Sequence, residues 1–316
     1  MQILQNLQRL TTQAKLRYQE FRLYDAASYM LNHLTPRQSF ELNQDIAYGT
    51  KARQLLDIYR TTHPLPQRPL IVFVHGGAWQ HGDKKDYVFI GEAFTREGYD
   101  VVVLNYHLAP QHIFPSYIDD LTLALNYLDQ HQQELYISTE QLILMGHSAG
   151  AFNVMSAIYH PTPYTLECRS KIKAVIGIAG PYHFDYKGDP IAQDAFDQNI
   201  PYHEVMPYYF VDHNPIRHCL VVAENDQVVK KSNSDDLDQQ LRQCGNYSQI
   251  VMIPKTGHIT VLGSLSSLFS WHFQTKQSIL NFLDEALKAS QLAFFNIQQL
   301  AFHEVRAQSW NGQYCL

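Results

Sequence analysis

Cysteine is scarce in this 316-residue chain, and the four that occur are irregularly spaced. They are Cys168, Cys219, Cys244 and Cys315, with no C-x-x-C pair. This usage argues against both a disulfide framework and a structural zinc site. The start of the chain also lacks a basic stretch followed by an apolar one, the pattern of a secretory signal peptide. We therefore expect a reduced, cytoplasmic protein.

Charge and long apolar runs are limited as well. Only 17% of the residues are charged, and 30 acidic side chains against 24 Lys and Arg give a formal net charge of −6. An acidic balance without a Lys/Arg cluster argues against a nucleic-acid or anionic-lipid partner. The longest apolar-leaning stretch, 259–273, is interrupted by serines and is too short to span a bilayer. The 45% hydrophobic content predicts a globular domain with a sizeable core.

Six short apolar runs carry the fold prediction. They are continuous rather than alternating, which is typical of parallel strands covered on both faces. Helix-like stretches such as 117–128 and 149–159 alternate with them. We therefore predict an α/β fold with a mostly parallel, doubly wound sheet and helices on both faces. The six runs are 70–75, 101–106, 142–147, 172–180, 219–224 and 249–254.

Three segments stand apart from this alternation. Residues 1–44 are Gln-rich with apolar residues at helical spacing, so we predict an N-terminal helical segment that Pro36 ends. Within the main domain, 45–290, residues 181–218 are rich in aromatics and Pro. They are long for a connection between strands, which favours an insertion that walls a pocket over a plain surface excursion. Residues 291–316 form a C-terminal extension without an assigned role.

The sharpest chemical signal is G-x-S-x-G at residues 146–150, directly after a predicted strand and before a predicted helix. A serine needs a sharp strand-to-helix turn to expose its hydroxyl above the sheet, and flanking glycines permit that turn. The pattern predicts Ser148 as a nucleophile, and a glycine-rich packing turn is the alternative. We expect His147, beside it, to contact substrate.

A second signal is His-Gly-Gly-Ala-Trp at residues 75–79, at the end of another predicted strand. Acyl transfer needs backbone N–H donors aimed at a developing oxyanion, and a Gly-Gly loop lets the backbone approach closely. Trp79 is expected to wall the substrate pocket or to pack beneath it. The predicted oxyanion-hole residues are Gly76, Gly77, Ala78 and Ala149.

The remaining catalytic groups are predicted from chain order and position. Asp226 follows the strand at 219–224, and His258 follows the strand at 249–254. The carboxyl ends of parallel strands share one edge of a sheet, so both side chains are expected beside the serine. His258 would take the serine proton and Asp226 would orient the imidazole. Glu224 is the competing acid, but it lies nearer the strand interior.

With these motifs in place, the sequence resembles the α/β-hydrolase superfamily. It is similar to the branch that holds hormone-sensitive-lipase-like carboxylesterases and kynurenine formamidases. HGGAW looks like the HGG-x-W oxyanion motif of that branch, and GHSAG looks like its nucleophile elbow. Residues 105–125 are similar to a segment that the esterases write as Y-R-L-A-P-E-x-x-F-P…D. Ala78 departs from the lipase-like HGGG, and His107 departs from the usual Arg.

The resemblance implies an α/β-hydrolase fold with a small helical cap. In this branch an N-terminal helical segment often covers the active site, so residues 1–44 either do likewise or pack on the outside of the sheet. The implied activity is a serine hydrolase that cleaves carboxylic esters with short acyl chains through an acyl-enzyme. An arylformamidase acting on N-formylkynurenine is the alternative, because it uses the same machinery. A non-catalytic binding module is the third reading.

Cofactors and partners follow from the same reading. No metal or organic cofactor is expected, because the sequence has no H-E-x-x-H, no P-loop and no G-x-G-x-x-G after a first strand. The expected partner is a small-molecule ester or formamide, with a homodimer as one option for the assembly.

Overall fold

The computed structural model describes residues 28–161 and 165–290. Most of the predicted N-terminal helical segment and all of the extension 291–316 lie outside these residues. Within them, eight strands form one sheet. The strands are β1 (Phe40–Ala47), β2 (Leu55–Thr61), β3 (Leu70–Val74), β4 (Asp100–Leu104), β5 (Leu142–His147), β6 (Ile172–Ile178), β7 (Arg217–Ala223) and β8 (Ser248–Ile253).

Helices connect and cover these strands. They are α1 (28–34), α2 (Val88–Thr95), α3 (Ser116–Gln130), α4 (Ala149–Tyr159), α5 (Ser232–Gln243), α6 (Thr260–Gly263) and α7 (275–290). In the described part of the chain, no helix has both the length and the apolar character needed to cross a membrane.

The strand order of the sheet is β1-β2-β4-β3-β5-β6-β7-β8. β1, β2 and β4 pair antiparallel at one edge, and the six strands from β4 to β8 pair parallel. From β3 the chain continues to β4 on one side, and it later returns to β5 on the other. The carboxyl ends of β3 and β5 therefore flank the point where the strand order reverses, which is where open α/β sheets bind ligands.

The core has two layers, one on each face of the sheet. Alternate residues of β3 point into different layers: Val72 packs with α3 and α4, whereas Phe73 packs with α2 and α7. All five β3 residues are fully buried. A strand buried on both faces needs apolar residues at every position, and for this reason the continuous runs predicted strands correctly. The doubly wound α/β sheet is confirmed.

The six predicted strands all occur, but the sequence prediction omitted β1 and β2. β1 reads FELNQDIA and leaves most of its residues partly or fully exposed. It is an antiparallel edge strand, so it carries no continuous apolar run. The sheet therefore begins at Phe40, and the domain boundary predicted after residue 44 falls inside β1.

The insertion between β6 and β7 contains three short 3₁₀ turns, which are Gln193–Ala195, Tyr202–Glu204 and Pro207–Phe210. Phe196, which follows the first turn, is buried and stacks on Tyr186 with ring centroids 4.5 Å apart. The same ring meets Trp79 of the loop after β3 edge-on at 4.9 Å. The aromatic residues of the insertion thus pack onto the carboxyl edge of the sheet, where they stand over the point at which the strand order reverses.

Candidate active site

Ser148 occupies a strained turn between β5 and α4. Its backbone has φ 52° and ψ −121°, in the positive-φ region that side-chain-bearing residues seldom adopt. The glycines on either side make room for this turn. A Cβ on Gly146 would lie 2.2 Å from the carbonyl oxygen of Gly150, and one on Gly150 would lie 2.0 Å from that of Val74. The G-x-S-x-G pattern is thus required by close backbone packing at this turn.

Three predicted side chains meet at the carboxyl edge of the sheet. His258, in the loop after β8, has its Nε2 2.8 Å from Ser148 Oγ. Its Nδ1 lies 2.8 Å from Asp226 Oδ2, in the loop after β7. The side chains of His258 and Asp226 are only 11% and 5% exposed, so little water competes for these bonds. The arrangement can move a proton from the serine hydroxyl to an imidazole whose other nitrogen is held by a carboxylate.

Asp226 is held in its ionised form. Burial opposes ionisation, but the hydrogen bond and charge of His258 and the amides of Val229 and Val228 outweigh it, and the pKa of Asp226 lies below its usual value. Its Oδ1 accepts from both amides, at 2.8 Å and 2.9 Å. Glu224, the competing acid, is exposed, and its Oε2 accepts from the amide of Lys255.

The predicted oxyanion-hole residues divide into two groups. Gly77, Ala78 and Ala149 line the same cavity as Ser148. The N–H groups of Gly77 and Ala78 have no acceptor among the residues that the structure describes, and the N–H of Ala149 belongs to the first turn of α4, where no intrahelical acceptor exists. Gly76 lies behind them, since a Cβ there would meet the Ser148 Cβ at 3.0 Å. It is not among the residues that line the cavity.

Trp79 anchors the loop after β3 to helix α4. It is 2% exposed, and its indole N–H donates to Asn153 Oδ1 at 2.9 Å. Its ring packs edge-on against Phe152 of α4, with centroids 5.3 Å apart, and it lines the cavity. Both expected roles, pocket wall and packing, therefore apply. Asn153 is not predicted from the sequence, because nothing but its place about one turn after the serine distinguishes it.

His147, the residue before Ser148, is hydrogen-bonded to the backbone of His258. It lines the cavity, but it is only 2% exposed, and its Nε2 lies 2.9 Å from the carbonyl oxygen of His258. One ring nitrogen is therefore bonded within the protein, and the other, Nδ1, is buried without a partner among the described residues.

The cavity above Ser148 has a volume of about 370 Å³. Charged side chains occur on two of its walls: Asp185 and Asp189 come from the insertion, and Lys230 comes from the loop after β7. The apolar part of its lining includes Phe184, Ile191, Val228, Val229 and Ile259. No group of three or more His, Cys, Asp or Glu side chains able to hold a metal ion occurs in residues 28–161 and 165–290.

Three buried histidines give the fold a predicted acid sensitivity. Burial is the main cause that lowers the pKa of His75 and His218 to about 4 and that of His147 to about 3. In the unfolded chain a histidine titrates near its usual value of about 6.5, so between these values only the unfolded state binds the proton. As the pH decreases through this range, the free energy of unfolding decreases by about 1.4 kcal/mol per pH unit for each histidine. Asp119, whose pKa burial and Asp120 raise to about 6, acts in the opposite direction.

The test compares variants with the unmodified protein, because the contributions of all other titrating groups, Asp119 included, are then the same on both sides. The free energy of unfolding is measured by urea at pH 7, 6, 5 and 4.5. As the pH decreases below about 6.5, His218→Gln is expected to lose stability less steeply than the unmodified protein, the slopes differing by about 1.4 kcal/mol per pH unit. His272→Gln, at an exposed position, is the control and should keep the unmodified slope. Equal slopes in all three proteins would contradict the prediction.

Known proteins resemble this chain in sequence. The sequence model of the BD-FAE family matches residues 56–241. Kynurenine formamidase of Drosophila melanogaster is 32% identical over 149 residues, which cover 47% of this chain and 48% of that protein. Isoprenylcysteine alpha-carbonyl methylesterase of Arabidopsis thaliana is 27% identical over 151 residues, which cover 46% of this chain and 35% of that protein. The chain thus spans half or less of these two relatives.

A solved structure supports the fold independently. The inhibited esterase B from Lactobacillus rhamnosis superposes with a TM-score of 0.72 at 17% sequence identity, covering 90% of this chain and 99% of that one. At this identity the likeness concerns the fold, which is that of the α/β-hydrolases. Because the family match extends over more than half of the sequence, the chain belongs to the BD-FAE family.

Proposed function

We propose that the protein is a serine carboxylic ester hydrolase that works through an acyl-enzyme. The observation that carries the proposal is the continuous set of hydrogen bonds from Ser148 through His258 to Asp226, opening into the cavity of about 370 Å³. A nucleophile bonded to a base, which is in turn oriented by a third group, is the arrangement that covalent acyl transfer needs.

In the first half-reaction Ser148 Oγ attacks the acyl carbon of the ester, and His258 Nε2 takes the hydroxyl proton. The carbonyl π bond opens, and the resulting oxyanion is stabilised by the N–H groups of Gly77, Ala78 and Ala149. As the oxyanion collapses, the bond to the leaving alkoxide breaks and His258 returns the proton to it. Water then repeats these steps on the acyl-enzyme, which releases the acid and restores the serine.

An arylformamidase is the second candidate, favoured by the Drosophila relative named as a kynurenine formamidase. The Arabidopsis relative is named as a methylesterase, which favours ester cleavage. Both reactions transfer an acyl group to the serine and differ in the leaving group, an alcohol or an arylamine. The triad geometry therefore supports both equally, and direct assay separates them.

Short acyl groups are the expected substrates. Ligand cavities commonly enclose about 300–1,000 Å³, and this one lies near the lower end. With p-nitrophenyl esters from acetate to palmitate, we expect kcat/KM to be highest at acetate or butyrate and to fall for longer chains. N-formylkynurenine is assayed beside them, and each rate is compared with that of Ser148→Ala.

The outcomes separate the candidates. Ser148-dependent hydrolysis of short esters with none of the formamide supports the general esterase, whereas faster hydrolysis of N-formylkynurenine than of any ester replaces it with the arylformamidase. Faster cleavage of palmitate than of butyrate would contradict the short-chain proposal. The cytoplasmic location, the homodimer and the covering role of the N-terminal segment stay predictions.

A further inference from the structure

We infer that His147, the residue before the nucleophile, is a positioning residue that fixes the backbone of His258 at its working distance from Ser148. The inference rests on the proposed serine-hydrolase function and adds a residue to its machinery that binds neither substrate nor proton in the reaction.

The first observation is the direction of the hydrogen bond. His147 Nε2 lies 2.9 Å from the carbonyl oxygen of His258. A carbonyl oxygen only accepts, so Nε2 carries the hydrogen and donates it, which leaves Nδ1 unprotonated. Nδ1 is buried and has no partner among the described residues. Gly76 packs closely beside it, since a Cβ there would lie 3.0 Å from Nδ1. The imidazole is thus held in one tautomer by one bond.

The second observation is that this hydrogen bond joins the end of β5 to the backbone of His258. His147 is the last residue of β5 and precedes Ser148, so one rigid strand end carries both the nucleophile and this donor. Ser148 Oγ contacts the ring of His258 at 2.8 Å, while His147 contacts its backbone at 2.9 Å. His258 is thus held at its ring by Ser148 and at its carbonyl by His147. Two contacts from successive residues fix its distance from the end of β5.

Other hydrogen bonds also hold the loop after β8, but they join it to different parts of the protein. The carbonyl of Thr256 accepts from the amide of Asn225 at 2.8 Å, which ties the loop to the one that carries Asp226. The amide of Gly257 donates to Thr260 Oγ1 at 2.7 Å, which is a local turn bond. Neither reaches the elbow, so the His147 bond supplies the link between the backbone of the base and the nucleophile.

The charge state of His147 suits this task. Burial first, and then the positive charge of His258, lower the pKa of His147 to about 3. Asp226, the other charged group that acts on His147, opposes this shift without cancelling it. With the two rings 5.0 Å apart, a neutral imidazole adds no repulsion when His258 becomes an imidazolium during the reaction. A neutral donor at this position is therefore compatible with catalysis, whereas a cationic one would oppose it.

The test separates positioning from substrate contact by three substitutions. His147→Leu removes the donor, and His147→Gln replaces it with an amide of similar reach. His147→Asn keeps the amide but falls one methylene short. Because a displacement of about 1 Å in a reacting group can cost about 100-fold in rate, we expect the Leu and Asn variants to lose up to about 100-fold in kcat with nearly unchanged KM. The Gln variant should recover most of that loss.

Each assay is normalised to the concentration of sites that react with a fluorophosphonate probe at saturation, and thermal unfolding is followed for every variant. Unmodified kcat in the Leu variant, or a rise in KM alone, would overturn the inference, as would equal impairment by Gln and Asn. Where the Leu variant does not fold, the comparison of Gln with Asn decides. Activity that persists in Ser148→Ala would instead remove the proposed function itself, so the two failures are distinguishable.

Discussion

Replacing Ser148 with alanine is expected to lower kcat by about a million-fold on the best acyl substrate, because removal of the nucleophile closes the acyl-enzyme route. Only binding and the oxyanion donors would then act on the substrate. His258 Nε2 lies 2.8 Å from the serine oxygen and would lose the hydroxyl whose proton it takes in the first step. Steady-state hydrolysis and covalent labelling by a fluorophosphonate measure the two consequences, and we expect labelling to disappear.

The matched control is Ser156→Ala, on the same helix that follows the elbow. Ser156 is fully buried, and its Oγ has no hydrogen-bond partner within the described residues. Its removal should leave both hydrolysis and labelling close to those of the unmodified protein. A folded Ser148→Ala variant that keeps its activity would contradict the nucleophile assignment. Absence of labelling in the folded, unmodified protein would favour the non-catalytic binding module.

The strands that could be predicted from the sequence are those buried on both faces of the sheet. β3 and β5 are buried on both faces, so nearly every residue in them is apolar and the runs are readable. β1 lies at an antiparallel edge with much of its surface exposed, so it has no continuous apolar run like those of the buried strands. Its omission follows from that position.

The site divides in the same way. Ser148, Asp226 and His258 could be predicted because a turn pattern and the ends of consecutive parallel strands fix where their side chains go. The hydrogen-bond partners of His147 and Trp79 could not, since each partner lies far along the chain. His147 bonds to a carbonyl 111 residues away, and Trp79 to an amide 74 residues away. Such pairings depend on the packed structure and leave no local pattern.

The second large effect is expected at the acid of the triad, where Asp226→Asn should lower kcat by about ten-thousand-fold while leaving the serine in place. The carboxylate accepts the Nδ1 hydrogen of His258 at 2.8 Å, which leaves Nε2 free to accept the serine proton. An asparagine amide can donate to Nδ1 instead, which stabilises the tautomer with hydrogen on Nε2. That tautomer cannot act as the base, so kcat falls although the shape of the site is kept.

Glu224→Gln is the matched control, because it makes the same carboxylate-to-amide change two residues earlier in the same loop. Glu224 is exposed and bonds to the amide of Lys255 rather than to His258, so its loss should change kcat by no more than about twofold. A larger loss in Glu224→Gln than in Asp226→Asn would exchange the two assignments. The contrast tests whether the short contact to His258, rather than the presence of an acid in this loop, sets the tautomer of the base.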